Sequence, residues 1–187
     1  MSVIKDPDVR MLASIAETLR GDYVDREQED LWAHSPFDWI RRTSSRRKGK
    51  IGEQLVAGWC AAKGFSVSAS GDSEADRVIA GFRAEIKLST LWANGGFKYQ
   101  QIRDQGYEIA ICLGIMPFDA RCWVLPKAVL YANVIGHTPQ HTGAAGSDTF
   151  WITVPDPDQP PPWMQRYGGS LSQAFSVLRQ LEKKSSR

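Results

Sequence analysis

Asp76, Glu85 and Lys87 fall within twelve consecutive residues, Asp76-Arg-Val-Ile-Ala-Gly-Phe-Arg-Ala-Glu85-Ile-Lys87. The pattern predicts two short strands, Asp76 to Ile79 and Phe82 to Ser89, joined by a tight turn at Ala80-Gly81. Such a hairpin brings an aspartate, a glutamate and a lysine to one of its ends. Two carboxylates a few ångströms apart repel each other unless a cation lies between them, and oxygen ligands of this kind suit Mg²⁺. Lys87, two residues beyond Glu85, shares its strand face and can orient a water or stabilise an oxyanion there. Carboxylates, a hard metal and a lysine are the parts needed to hydrolyse a phosphodiester.

The elements that must position these groups follow the same order along the chain. A helix from about Lys48 to Lys63 carries an apolar stripe of Ile51, Leu55, Trp59 and Ala62 and is capped by Gly64. Glu53 falls at the margin of that stripe. Phe65 to Ala69 alternates as a strand does, and Ser70 to Ala75 is a turn with Asp72 and Glu74 as spare carboxylates. Leu91 to Gly96 reads as a turn, and Phe97 to Gln105 as a polar helix with Lys98 and Gln101 three apart on one face. Tyr107 to Ile115 is nearly continuous apolar sequence, the mark of a central strand covered on both faces. Arg121 to Leu125 is the next strand, and Pro126 starts a helix to about Val134.

This arrangement resembles the PD-(D/E)XK nucleases, also called restriction-endonuclease-like, over roughly residues 48 to 130. Asp76 matches the lone aspartate, Glu85-Ile86-Lys87 the E-X-K half, and Gly52-Glu53 the glutamate of an upstream helix. Ala75 stands where the motif's name has proline, which removes no ligand. RecB-like members have a glutamine and a tyrosine after the lysine strand; Gln100, Gln101 and Tyr107 lie there at a different spacing. The resemblance implies an α/β fold, a mixed β-sheet flanked by helices, and Mg²⁺-dependent hydrolysis of DNA. Asp76 and Glu85 would ligate the metal with the Ile86 carbonyl, Glu53 would serve it through water or hold a second ion, and Lys87 would position the attacking water.

Twenty-three basic and 21 acidic residues leave a net charge of +2 over 187 residues, but the charge is uneven. Residues 41 to 50 hold six basic side chains and no acid, so the remainder is net acidic. Arg46, Arg47, Lys48 and Lys50, directly before the Glu53 helix, are candidates for DNA phosphates, as is Lys98. The bland reading of the block is a solubilising linker. Gly136 to Thr149 is long, polar and rich in glycine; His137, Gln140 and His141 there are candidates for base edges or backbone, beside Gln101. Pro139 between the two histidines argues against a zinc site on one helix face.

Three organisational units are expected: an N-terminal helical arm with the basic segment (1–47), a nuclease-like core (48–154), and a proline-rich spacer with a C-terminal helix (155–187). In the arm, Val9, Leu12, Ile15, Ala16 and Leu19 form an apolar stripe ended by Gly21, and Trp39 and Ile40 are expected to pack inward. Ser170 to Gln173 is a capping box opening the last helix. Three widely spaced cysteines suggest buried thiols of a cytoplasmic protein. No apolar run is long enough to span a bilayer and no signal peptide is seen. The expectation is a restriction-type endonuclease, a homodimer, with no nucleotide cofactor and no membrane partner. The alternatives are a structure-specific repair or recombination nuclease, or a DNA-binding subunit that keeps the fold without turnover.

Overall fold

The computed structural model describes residues 7–23, 26–139 and 148–185. Among the described residues eight strands divide into a sheet of six and a ribbon of two. The strands are β1 (Val67–Ala69), β2 (Arg77–Ile79), β3 (Phe82–Thr90), β4 (Phe97–Ile102), β5 (Ile109–Ile115), β6 (Ala120–Pro126), β7 (Phe150–Val154) and β8 (Gly168–Gly169). The large sheet has the order β1-β2-β3-β5-β6-β8; β3 and β5 run parallel and the other neighbours antiparallel. It is the mixed sheet flanked by helices that the sequence leads one to expect.

β5 is buried at every position, as its apolar run requires. Its side chains alternate between two cores. Ile109, Ile111, Leu113 and Ile115 join one, while Ala110 and Cys112 join the other. The first core is covered by α4 (Ser45–Ala62) and α6 (Leu171–Ser185), through Val56 and Cys60 of one and Ala174 and Leu178 of the other. α6 opens with the expected capping box: the Ser170 amide donates to Gln173 Oε1 at 2.8 Å and the Gln173 amide to Ser170 Oγ at 3.2 Å. Arg179 stacks 4.0 Å from the Phe65 ring and donates to the carbonyls of Lys63 and Gly64 at the end of α4. One guanidinium thereby ties the two helices together.

The buried stripe of α4 is Gly52, Val56 and Cys60, one residue on from the expected Ile51, Leu55 and Trp59, which are only partly buried; Ala62 is exposed. A Cβ at Gly52 would lie 2.7 Å from Leu88 Cβ. Gly52 thus lets helix and strand approach closely.

The second core lies under the β4–β7 ribbon and α5 (Lys127–Asn133), which contributes Leu130. Residues 97 to 102 are therefore a strand, where a helix was expected. Phe97, Tyr99 and Ile102 are fully buried, and a bulge between Tyr99 and Ile102 shifts the spacing from two to three. That shift hides the strand's period of two. The ribbon sits tightly because Gly114 offers bare backbone: a Cβ there would lie 2.5 Å from the Phe97 ring. The proline-rich run is not an extended spacer. It turns at Asp156 to Gln159, and Asp158 pairs with Arg121 of β6 at 2.7 Å.

At the N-terminus are α1 (Pro7–Tyr23), α2 (Arg26–Leu31) and α3 (Asp38–Arg41). α1 runs past Gly21, and the expected stripe of Val9, Leu12, Ile15 and Leu19 is exposed. Ile40 packs inward as expected, but Trp39 is 56% exposed. Glu29 of α2 and Asp38 of α3 pair with Arg41 and Arg42 at 2.6–3.1 Å. All three cysteines are buried, and burial pushes the thiols of Cys60 and Cys112 up to about 12. They are protonated packing groups. Among the described residues no helix is long and apolar enough to cross a membrane.

Candidate active site

The site begins where β2 and β3 part. The Asp76 amide continues their ladder with a 3.0 Å bond to the Ala84 carbonyl. One residue earlier the chain turns away, because the Ala75 carbonyl accepts from the Ser70 hydroxyl. The next donor on the open edge of β3, the Ile86 amide, is taken by the Asp76 carboxylate instead, through Oδ2 at 2.7 Å. In a strand the N–H and C=O of one residue face the same edge. The Ile86 carbonyl therefore also faces the gap that Asp76 occupies.

Alternation along β3 turns Ala84 and Ile86 into the α4 core and Glu85, Lys87 and Ser89 the other way. Glu85 is 8% exposed, and its Oε1 pairs with Lys87 Nζ at 2.7 Å. Burial, Glu85 and Glu53 together push the Asp76 carboxyl above its usual range, against the opposing effects of the Ile86 amide and Lys87. Among the described residues Asp76 forms no ion pair. Glu85 and Glu53 each have a cation partner and Asp76 has none among the described residues, so its carboxylate is the one left for an added cation.

These groups line a cleft of about 540 Å³. One wall is the start of α4, which begins at Ser45, so the basic block is mostly helix and not linker. Arg46 and Lys48 line the cleft. Burial, with help from Arg41, holds Lys48 below the usual lysine range. A helix N-terminus carries partial positive charge, and here it is reinforced by these side chains. The facing wall is β4, with Lys98, Gln100 and Gln101. The Lys98 amide donates to Ser89 Oγ at 3.1 Å, tying the ribbon to β3. Lys98 Nζ lies 4.5 Å from the Trp92 ring and 5.4 Å from Trp151.

The structure brings Asp76, Glu85, Ile86, Lys87, Glu53, Arg46, Lys48, Lys98 and Gln101 to one cleft. It does not bring the rest. Lys50 is paired with Glu53 at 2.7 Å. Arg47 is exposed on α4 and absent from the lining. His137 is exposed beyond α5 and absent from the lining. Gln140 and His141 lie outside the described residues. The spare carboxylates are engaged elsewhere: Asp72 pairs with Arg83 at 2.7 Å and Glu74 accepts the Gly106 amide. Tyr107 is buried, with its hydroxyl on the Arg103 carbonyl.

Sequence reasoning missed Arg77 and Trp92, and named Gln100 only at a spacing unlike that of the RecB-like members. Arg77 reaches Glu53 Oε2 at 3.4 Å and the Asp76 carbonyl at 3.3 Å, so it braces two of the three acids. Its signal was its place directly after Asp76. Trp92 sits on the cleft rim, 40% exposed, in the turn closed by Gly95 and Gly96.

Among the described residues no group of three or more His, Cys, Asp or Glu side chains is arranged to hold a metal ion. Asp76, Glu85 and the Ile86 carbonyl offer a smaller, all-oxygen donor set. That set fits Mg²⁺, which is commonly bound by one or two carboxylates with waters and substrate phosphates completing its shell.

No family model matches the chain, and no curated protein matches it. Among solved structures it is similar to a bacterial homing endonuclease, with 16% sequence identity, 77% of this chain and 99% of that chain covered, and a TM-score of 0.49.

Proposed function

We propose that this protein is a Mg²⁺-dependent endodeoxyribonuclease of the restriction type. The observation that carries the reading is the Asp76 carboxyl, half-buried beside Glu85 and Glu53, at the floor of a cleft walled by Arg46, Lys48 and Lys98. A carboxylate without a cation partner, beside a second carboxylate, suits a metal, and basic walls suit a phosphate backbone.

Asp76, Glu85 and the Ile86 carbonyl would hold the ion. When bound it would act as a Lewis acid on a phosphate oxygen and lower the pKa of a coordinated water. Lys87, released from Glu85 as that carboxylate turns to the metal, would orient the attacking water and stabilise charge developing on the phosphate. Glu53 is held by Lys50 and Arg77, which supports one ion in place of two. Its role would be to sharpen the field at Asp76. Arg46 and Lys48 would grip the strand, and Lys98 would brace it from the ribbon side. Cutting both strands of a duplex calls for two such sites, and a two-fold homodimer supplies them.

Supercoiled plasmid tests this directly. With Mg²⁺ the wild type is expected to nick and then linearise it. Chelator, Asp76→Ala and Lys87→Ala are each expected to abolish the conversion. Salt-dependent DNA binding without cutting in any divalent metal would overturn catalysis and leave a DNA-binding subunit. Cutting confined to forks or junctions would replace the restriction-type reading with a structure-specific nuclease.

A further inference from the structure

β4 departs from strand geometry at one place, and that place faces the cleft. Regular alternation would send Tyr99 inward, Gln100 outward and residue 101 inward. Instead Tyr99 is buried, Gln100 and Gln101 are both exposed, and Ile102 returns to the core. The register against β7 shifts across the same residues. Gln101 has φ +57°, a left-handed conformation in which side chains other than glycine, asparagine and aspartate are uncommon. Bulges of this kind re-aim side chains beside active sites, and backbone strain of this kind clusters at functional sites. The bulge sets two neighbouring amides side by side on the wall opposite Arg46 and Lys48. The same bulge returns Ile102 to the core behind Tyr99, so the ribbon stays anchored while both amides are left outside.

We propose that the bulge at Gln100 and Gln101 is the base-reading element of this protein, and that its ligand is adenine in the major groove of duplex DNA. This rests on the nuclease reading for its account of the cleft as a DNA site. A glutamine amide carries a donor and an acceptor together, and adenine presents N6–H₂ and N7 in the matching order. A two-stranded ribbon is narrow enough to enter the major groove, and the minor groove does not display that pair of groups. The chemistry on β3 and the reading on β4 are joined by the bond between the Ser89 hydroxyl and the Lys98 amide. That bond fixes the distance between a recognised base and the phosphate below it.

The test is a binding selection without divalent metal, so that it does not depend on cutting. Full-length protein is mixed with duplexes randomised across a central stretch, and the retained DNA is sequenced. The variants are Gln100→Ala with Gln101→Gly, in which the glycine keeps the positive φ and removes the amide. The wild type is expected to enrich adenine at a fixed position by about tenfold, in line with a good bidentate base contact, and the double variant to lose that enrichment while still retaining DNA. Replacing the selected adenine by 7-deaza-adenine is expected to weaken wild-type binding and leave the variant's binding unchanged. Retained DNA with no base preference, or the same preference in the variant, overturns the proposal while the nuclease reading stands. Selection of adenine by a protein that never cuts supports the proposal and overturns catalysis. Failure to retain any duplex overturns both.

Discussion

The two faces of β3 are one strand put to opposite uses. Ala84 and Ile86 are sealed under α4, close-packed and apolar. Glu85, Lys87 and Ser89, interleaved with them, form the floor of a polar cleft. The sealed face contributes to stability, whereas the open face adjoins the half-buried Asp76, whose carboxyl burial and its acidic neighbours push above its ordinary range. Rigid packing on one side thus holds a costly arrangement in place on the other, which is how precise sites are supported.

If that division is right, changes on the two faces have opposite signatures. The largest effect is expected for Asp76→Asn, which keeps the shape and the bond from the Ile86 amide. Under the proposed reading its DNA cutting falls by about a hundredfold to a thousandfold. In chelator its thermal stability rises at neutral pH. The sign follows from the raised pKa: stability that Asp76 supplies when protonated is lost as pH rises through its folded value. The asparagine variant does not lose it, so the gap in melting temperature is absent in acid and opens toward neutrality. A variant less stable than wild type at neutral pH would break the comparison.

Ile111→Ala probes the sealed side, on the strand paired with β3 at Ile86. About 2–5 kcal/mol of stability is expected to go, measured by denaturant unfolding, with cutting per folded molecule near wild type. Gly52→Ala is milder, at about 1–3 kcal/mol, because its Cβ would press on Leu88. Leu88→Ala in the same molecule is expected to recover part of that loss, and a simple sum of the two penalties would count against the close approach of α4 and β3.

The hairpin, the central strand and the last helix were legible because their patterns are local. Alternation, an unbroken apolar run and a capping box each report their own geometry. β4 was not legible, since its bulge turns a spacing of two into three and imitates a helix. The α4 stripe was misplaced by one residue for a related reason. A stripe drawn through the larger apolar side chains passes over Gly52, whose missing Cβ is what lets this helix approach Leu88 of β3. At the site the acids and Lys87 were readable from spacing. Arg77 and Gln100 were not, because their places depend on where β2 leaves β3 and on the fold of β4. Half of the basic block was readable only in part: Arg41, Arg42 and Lys50 are spent on Glu29, Asp38 and Glu53.

Phe97 rests in a hollow of bare backbone at Gly114, where a single added carbon would strike its ring. The height of the ribbon above the sheet is therefore set by one ring and one absent methyl group. The two positions form a keyed joint: any side chain placed at residue 114 calls for a smaller one at residue 97.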